Sequence, residues 1–187
     1  MAKNYNFVFN TLITLVICCG LSVGGCYGGI SPQRKCVLNT AISQIGVKEE
    51  YANGGKEVNK YLKTVGLPGG YYWCAAFVKW VYNTCGIKTS GAQNGAARSF
   101  FATNKTYFVR GKSGSLDFSQ TGDVVGFYYN NLGRIGHIAI VERQDGSNGL
   151  LTIEGNTAED GGRNGDGVYR KRRTKRSVYA AANFIGI

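Results

Sequence analysis

Proline is nearly absent from this chain, with two residues in 187, and the 28 glycines follow no three-residue period. Collagen-like and proline-rich extended architectures are therefore excluded, and the glycines read as turns and loops. Acidic side chains are scarce, 11 against 22 basic ones, for a net charge of +11. A surface of that sign favours a polyanion, whether nucleic acid, anionic lipid or an anionic cell-wall polymer, and charge alone does not choose among them. There is one histidine and no CxxC pair, so no zinc site of ordinary spacing exists. No internal repeat and no second domain is visible. What is present is a 43% hydrophobic chain with 12 tyrosines, enough to exclude bulk disorder and to build one core.

Lys3 is the only charge before Arg34. An apolar run over residues 7–23 follows it, and Gly24 and Gly25 close the run. A short positive start, an apolar stretch and small residues read as a secretory signal over residues 1–25. The alternative is an uncleaved anchor, which needs about 20 strongly apolar residues; Asn10, Thr11 and Thr14 thin this run. The ending Val23-Gly24-Gly25-Cys26 resembles a bacterial lipobox. That resemblance implies a lipid on Cys26 and a membrane-anchored or secreted protein of the cell envelope. Residues 26–35 then form a tether and residues 36–187 the folded domain.

An exported chain can hold a disulfide. Cys18 and Cys19 leave with the signal, and three cysteines remain beyond Cys26: Cys36, Cys74 and Cys85. Cys74 and Cys85 fall on one predicted helix, roughly 16 Å apart at 1.5 Å per residue, too far to bond. Cys36 and Cys85 are the pair available for one bridge, with one thiol left over.

Val37, Leu38, Ala41, Ile42 and Ile45 recur at helical spacing, and Gly46 stops that helix. Val58, Tyr61, Leu62 and Val65 form a second amphipathic face. A third helix over residues 74–85 is apolar nearly all round and reads as the buried central helix. A short helix is expected over residues 96–102. The period then changes. Strands are expected at residues 123–129, 137–142, 150–154, 168–171 and 183–187, the first three separated by turns. Helices first and hairpin-linked strands after make an α+β fold, N-terminal helices packed on a C-terminal antiparallel sheet.

Cys74 stands where a Gly-Gly-Tyr-Tyr-Trp loop becomes that central helix. Helix N-terminal amides and the macrodipole stabilise a thiolate there. A nucleophilic cysteine needs a base, and His137 is the one histidine available. Glu154 ends the next strand and can orient the imidazole, as the acid of a triad does. Asn156, two residues on, can orient or donate. Taken singly, each has a structural reading: a core cysteine, a strand-end histidine, a solvated glutamate.

The blocks YYWCAAFVKWVY, GDVVGFYY, GHIAIVE and TIEGNT, in that order over residues 71–157, resemble the CHAP family, the cysteine, histidine-dependent amidohydrolases/peptidases. The resemblance implies a papain-like fold and cleavage of amide bonds in peptidoglycan. It makes Cys74 the nucleophile, His137 the base, Glu154 the ring-orienting acid and Asn156 an auxiliary polar group. The Cys74 backbone N–H, with Tyr72, is the expected oxyanion donor pair. Asp123 reads as structural. Thr121 stands where the family often has proline. Some phage-derived members hold calcium in an acidic loop before the cysteine; residues 67–73 hold no acidic residue, so no metal or other cofactor is expected.

Residues 170–176 carry six basic side chains in seven. The plain reading is a solvated face; the functional one is attraction to wall polymer or lipid headgroups. No nucleic-acid motif accompanies them, and a monomer with peptidoglycan as its partner is expected. The alternatives are a non-catalytic wall-binding module on the same fold and a cysteine peptidase acting on proteins.

Overall fold

The computed structural model describes residues 29–89, 94–160, 162 and 164–186. The signal over residues 1–25, Cys26 and Ile187 lie outside the described residues.

Three helices come first: α1 (Pro32–Ile42), α2 (Lys56–Lys63) and α3 (Cys74–Thr84). Six strands follow: β1 (Thr106–Val109), β2 (Val124–Tyr129), β3 (Arg134–Asp145), β4 (Gly149–Thr157), β5 (Gly167–Thr174) and β6 (Ala180–Ala182). They form one antiparallel sheet in the order β1-β6-β2-β3-β4-β5.

The expected tether is partly wrong. The Ser31 hydroxyl accepts the Arg34 N–H and Pro32 takes the first helical position, so α1 begins inside it. The buried Arg34 guanidinium then reaches 89 residues along the chain to Asp123, at 2.9 Å. Asp123 also accepts from the Tyr107 hydroxyl and the Gln120 N–H, at 3.1 and 3.0 Å. It is structural, and it ties the first helix to the start of β2. The short helix expected over residues 96–102 is a 3-10 helix, Ala97–Phe101. The expected last strand is displaced to Ala180–Ala182, and β1 adds a strand beyond those expected.

Both faces of the sheet are covered, which is why the strands read as apolar runs instead of alternating. Val124, Ile138, Ile140 and Ile153 pack with α3 in the larger cluster. Val125, Ala139, Val141 and Leu150 join Leu116 and Val178 on the other side. The helix α3 is central as its composition demands, with Ala75, Ala76, Phe77, Val78 and Val81 fully buried. Its first turn is braced by α2, where the Tyr61 ring stacks on Trp73 (centroids 5.6 Å apart) and meets Phe77 edge-on. Cys36 and Cys85 are bonded, joining α1 to the C-terminal end of α3. Cys74 is the free cysteine among the described residues.

Candidate active site

The start of α3 places Cys74 at its first residue, with Trp73 as the cap. The first N–H groups of a helix have no intrahelical acceptor, so the thiol sits among unpaired donors. Position is enforced from β4 as well. A Cβ added at Gly155 would lie 2.7 Å from the Trp73 ring and 2.8 Å from Phe77, so only glycine lets this strand close on the cysteine turn.

His137 lies inside β3, not at its mouth, because the strand begins at Arg134. Ile140 opposite Ile153 sets the β3–β4 register. In that register His137 and Glu154 fall on one face of the sheet, one step out of line. The His137 Nε2 and Glu154 Oε2 are 2.9 Å apart, and both side chains are fully buried. Nδ1, the other ring nitrogen, is buried without a hydrogen-bond partner among the described residues.

Burial alone would lower the His137 pKa; the Cys74 side chain and then Glu154 outweigh it and raise it from 6.5 to about 9. Glu154 holds Nε2, so Nδ1 is the ring nitrogen left for Cys74. Cys74, His137 and Glu154, three of the four site residues singled out by the sequence, are therefore brought together.

Glu154 has partners that no sequence motif marks. Arg173 grips it with both arms of the guanidinium, Nε to Oε1 at 2.8 Å and an Nη to Oε2 at 2.6 Å. The Thr152 hydroxyl donates to Oε1 at 2.6 Å. Arg173 also lies over the Phe127 ring, 4.9 Å from its centroid. Burial would raise the Glu154 pKa, but Arg173 first and His137 second hold it down, from 4.5 to about 2.

The basic run is thus not one solvated face. It is the edge strand β5 and its exit. Arg170 pairs with Glu142 at 2.7 Å, Arg172 with Asp145, and Lys175 with Asp117 at 2.6 Å. Lys171 donates to the Ala158 and Glu159 carbonyls. Period-two alternation turns Arg173 inward while Arg172 stays exposed.

Among the described residues Asn156 makes no hydrogen bond to the imidazole. Its Nδ2 donates to Asn53 Oδ1 at 3.1 Å, Glu49 Oε1 at 3.3 Å and the Gly165 carbonyl at 3.4 Å. Glu49 is the hub of that side: it also accepts the Trp73 indole N–H at 2.7 Å and the Asn53 backbone N–H at 2.8 Å. Neither Glu49 nor Asn53 lies in a recognisable motif. Tyr72 is 59% exposed and stands at the mouth of the cleft that holds Cys74. That cleft, of about 380 Å³, is also lined by Tyr71, Arg134, Asn156 and Asn164. A larger cavity of about 670 Å³ lies beside Arg34 and Arg143 and includes none of the four candidate residues. Among the described residues no three His, Cys, Asp or Glu side chains are grouped to hold a metal.

Residues 66–156 match the CHAP domain family, and the match spans Cys74, His137, Glu154 and Asn156. That match, over just under half of the chain, points to a hydrolase of the peptidoglycan type. No curated protein matches the chain. Among solved structures, the P60 domain of an antigen from M. avium subspecies paratuberculosis is 12% identical, with 83% of this chain and 96% of that one covered at a TM-score of 0.50. RipD from Mycobacterium tuberculosis, described as a non-catalytic NlpC/p60 domain protein adapted to peptidoglycan binding, is 13% identical, with 83% and 99% covered at 0.49. Ly7917 is 20% identical, with 79% and 60% covered at 0.46. The fold is the α+β, papain-like fold of such domains.

The single histidine makes one prediction direct. In an NMR titration the His137 ring is expected to lose its proton near pH 9, and Cys74→Ala is expected to bring that value down. The sign follows from linkage. The raised pKa stabilises the folded state fully below 6.5, and the contribution is lost as pH rises through about 9. Glu154, held low, contributes fully above 4.5 and loses its contribution as pH falls through about 2. A His137 titration at 6.5, unmoved by Cys74→Ala, would contradict the coupling.

Proposed function

We propose that this protein is an exported peptidoglycan hydrolase that cuts amide bonds, sugar–peptide or within the peptides, through a thioester on Cys74. The observation that carries the reading is the chain Cys74–His137–Glu154–Arg173 opening into a solvent-accessible cleft. The bonded Cys36–Cys85 pair supports an oxidising compartment. A signal over residues 1–25 and a lipid on Cys26 would place the enzyme in the envelope.

The Cys74 thiolate attacks the amide carbonyl carbon. An S–C bond forms and the carbonyl electrons move to oxygen. The Cys74 backbone N–H and the Tyr72 hydroxyl donate to that oxyanion. On collapse the C–N bond breaks, and the leaving amine takes its proton from the His137 imidazolium. Neutral His137 then takes a proton from water, which attacks the thioester and frees the thiolate and a carboxylate product. Glu154, ionised through this cycle, keeps the ring oriented and stabilises the imidazolium.

The test is a digest of purified sacculi by the purified protein, with Cys74→Ala beside it and products read by chromatography and mass spectrometry. Peptide-free sugar strands would identify an amidase, and shortened or uncrosslinked stems an endopeptidase. Wild type indistinguishable from Cys74→Ala on several wall types would sink the reading in favour of a binding module or a protein substrate.

A further inference from the structure

Apart from Cys74 itself, the described residues lining the Cys74 cleft carry one charged side chain, Arg134, and the chemistry above does not use it. The strand turns it there. Arg134 opens β3. Ile135 packs into the core with α3, whereas Arg134 and Gly136 on either side of it line the cleft, the period of two that a strand imposes. The guanidinium is exposed and uncommitted. The other arginines on strands, Arg143, Arg170, Arg172 and Arg173, each meet a carboxylate. Arg134 has no ion pair or side-chain hydrogen bond among the described residues. Glu49 and Asp166 line a neighbouring hollow that shares Tyr72 and Asn164 with the cleft. An anionic group in this groove is therefore repelled at the Glu49 and Asp166 end and drawn to the Arg134 end.

We propose that Arg134 is a specificity-determining residue that binds a free carboxylate of the substrate, so that the cleft selects acidic peptides over those whose carboxyl is amidated. The planar guanidinium suits a carboxylate, which it can grip at both oxygens. Spacing sets where that carboxylate lies. Arg134 is three residues before His137, about 10 Å along an extended strand, and a bound peptide spans about 3.3–3.6 Å per residue. The carboxylate accordingly belongs about two residues from the carbonyl under attack. This rests on the reading of the cleft as an amide-cleaving site, and it adds the class of peptide that the site takes.

The probes are N-iodoacetyl-glycylglycine, with its free carboxylate, and the corresponding C-terminal amide. In each, the Cys74 thiolate attacks the iodomethyl carbon, an S–C bond forms, and iodide leaves with the C–I electron pair. Rates on the purified protein are followed by intact mass and divided by the rates on free N-acetylcysteine. Wild type is expected to favour the carboxylate reagent by roughly fivefold, the upper end for an exposed charge pair. Arg134→Gln is expected to bring the ratio down to about one, and Arg134→Lys, which keeps the charge without the fork, to leave part of it. A net charge of +11 draws any anion, so the control is Lys112→Gln, which removes the same charge at an exposed residue outside the cleft and is expected to leave the ratio unchanged. A wild-type ratio of one, a ratio that survives Arg134→Gln, or an equal fall in Lys112→Gln overturns the proposal. If Arg134→Gln fails to fold, wild type decides: N-acetyl-glycylglycine is expected to slow alkylation by iodoacetamide more than its amide does, and equal protection is then the overturning result. Because the reagents do not depend on the wall, intact sacculi together with the expected ratios would reject the wall-hydrolase reading and leave the carboxylate site standing.

Discussion

Arg173→Ala is expected to cut sacculus digestion by up to about ten-thousandfold, the scale on which triads lose activity when the ring-orienting acid fails. Glu154 is fully buried, and Arg173 meets it at two points while remaining only 17% exposed itself. Removing the guanidinium leaves a buried carboxylate with His137 and Thr152 alone. That uncompensated charge costs about 3 kcal/mol of stability, or is relieved when Glu154 takes a proton and stops stabilising the imidazolium. Arg173→Lys keeps the charge but not the fork, and is expected to recover only part of the activity. Arg172→Ala is the comparison. Its ion pair with Asp145 is exposed, and such pairs are worth about 0–1 kcal/mol. Digestion rates and urea melts of the three variants decide the matter. Arg173→Ala within twofold of wild type would remove the guanidinium from the site's chemistry.

The second large effect concerns the Cys36–Cys85 bridge. It closes a loop of 49 residues, for which the chain-entropy model gives about 4 kcal/mol of stabilisation. The Cys36→Ser/Cys85→Ser double variant is expected to melt roughly 8–16 °C lower, at 2–4 °C per kcal/mol for a domain of this size. Calorimetry of the variant, and of wild type with and without a reductant, measures it. A shift under about 2 °C, less than 1 kcal/mol on that scale, would mean that the helix packing alone holds α1 to α3. Assays need the Cys74 thiol reduced and this bridge intact, so reductant strength is expected to have an optimum.

Part of the fold and site is legible in the chain, and part is hidden for physical reasons. Helix α3 is plain because a run apolar on every side, opened by Gly-Gly and stopped by Gly86, fits a buried helix and little else. Cys74, His137 and Glu154 are legible as an ordered set, though not singly. Arg173 is hidden by its neighbours: in a run of six cations composition suggests solvent, and the period-two alternation of an edge strand turns Lys171 and Arg173 inward together without marking which of them meets Glu154. Glu49 and Asn53 sit in a loop without pattern, and their importance comes from what folds onto them. The start of α1 departs from the expected tether although the Ser31-Pro32 cap is written in the chain. The expected last strand includes Phe184 and Ile185, which are buried but outside the ladder. Three alanines, poor strand formers by propensity, take the ladder instead because they fit between β1 and β2.

That last placement has a consequence for how the protein comes into being. Among the described residues β1 is laddered to β6 alone, and β6 is the last of the six strands to be made. A chain still being synthesised can hold Cys74 and His137 while its sheet stands open at the seam between β1 and β2. The sheet closes at that seam only after Ala182 has left the ribosome, so a product cut short of that point carries Cys74, His137 and Glu154 on a sheet whose β1 has no partner strand.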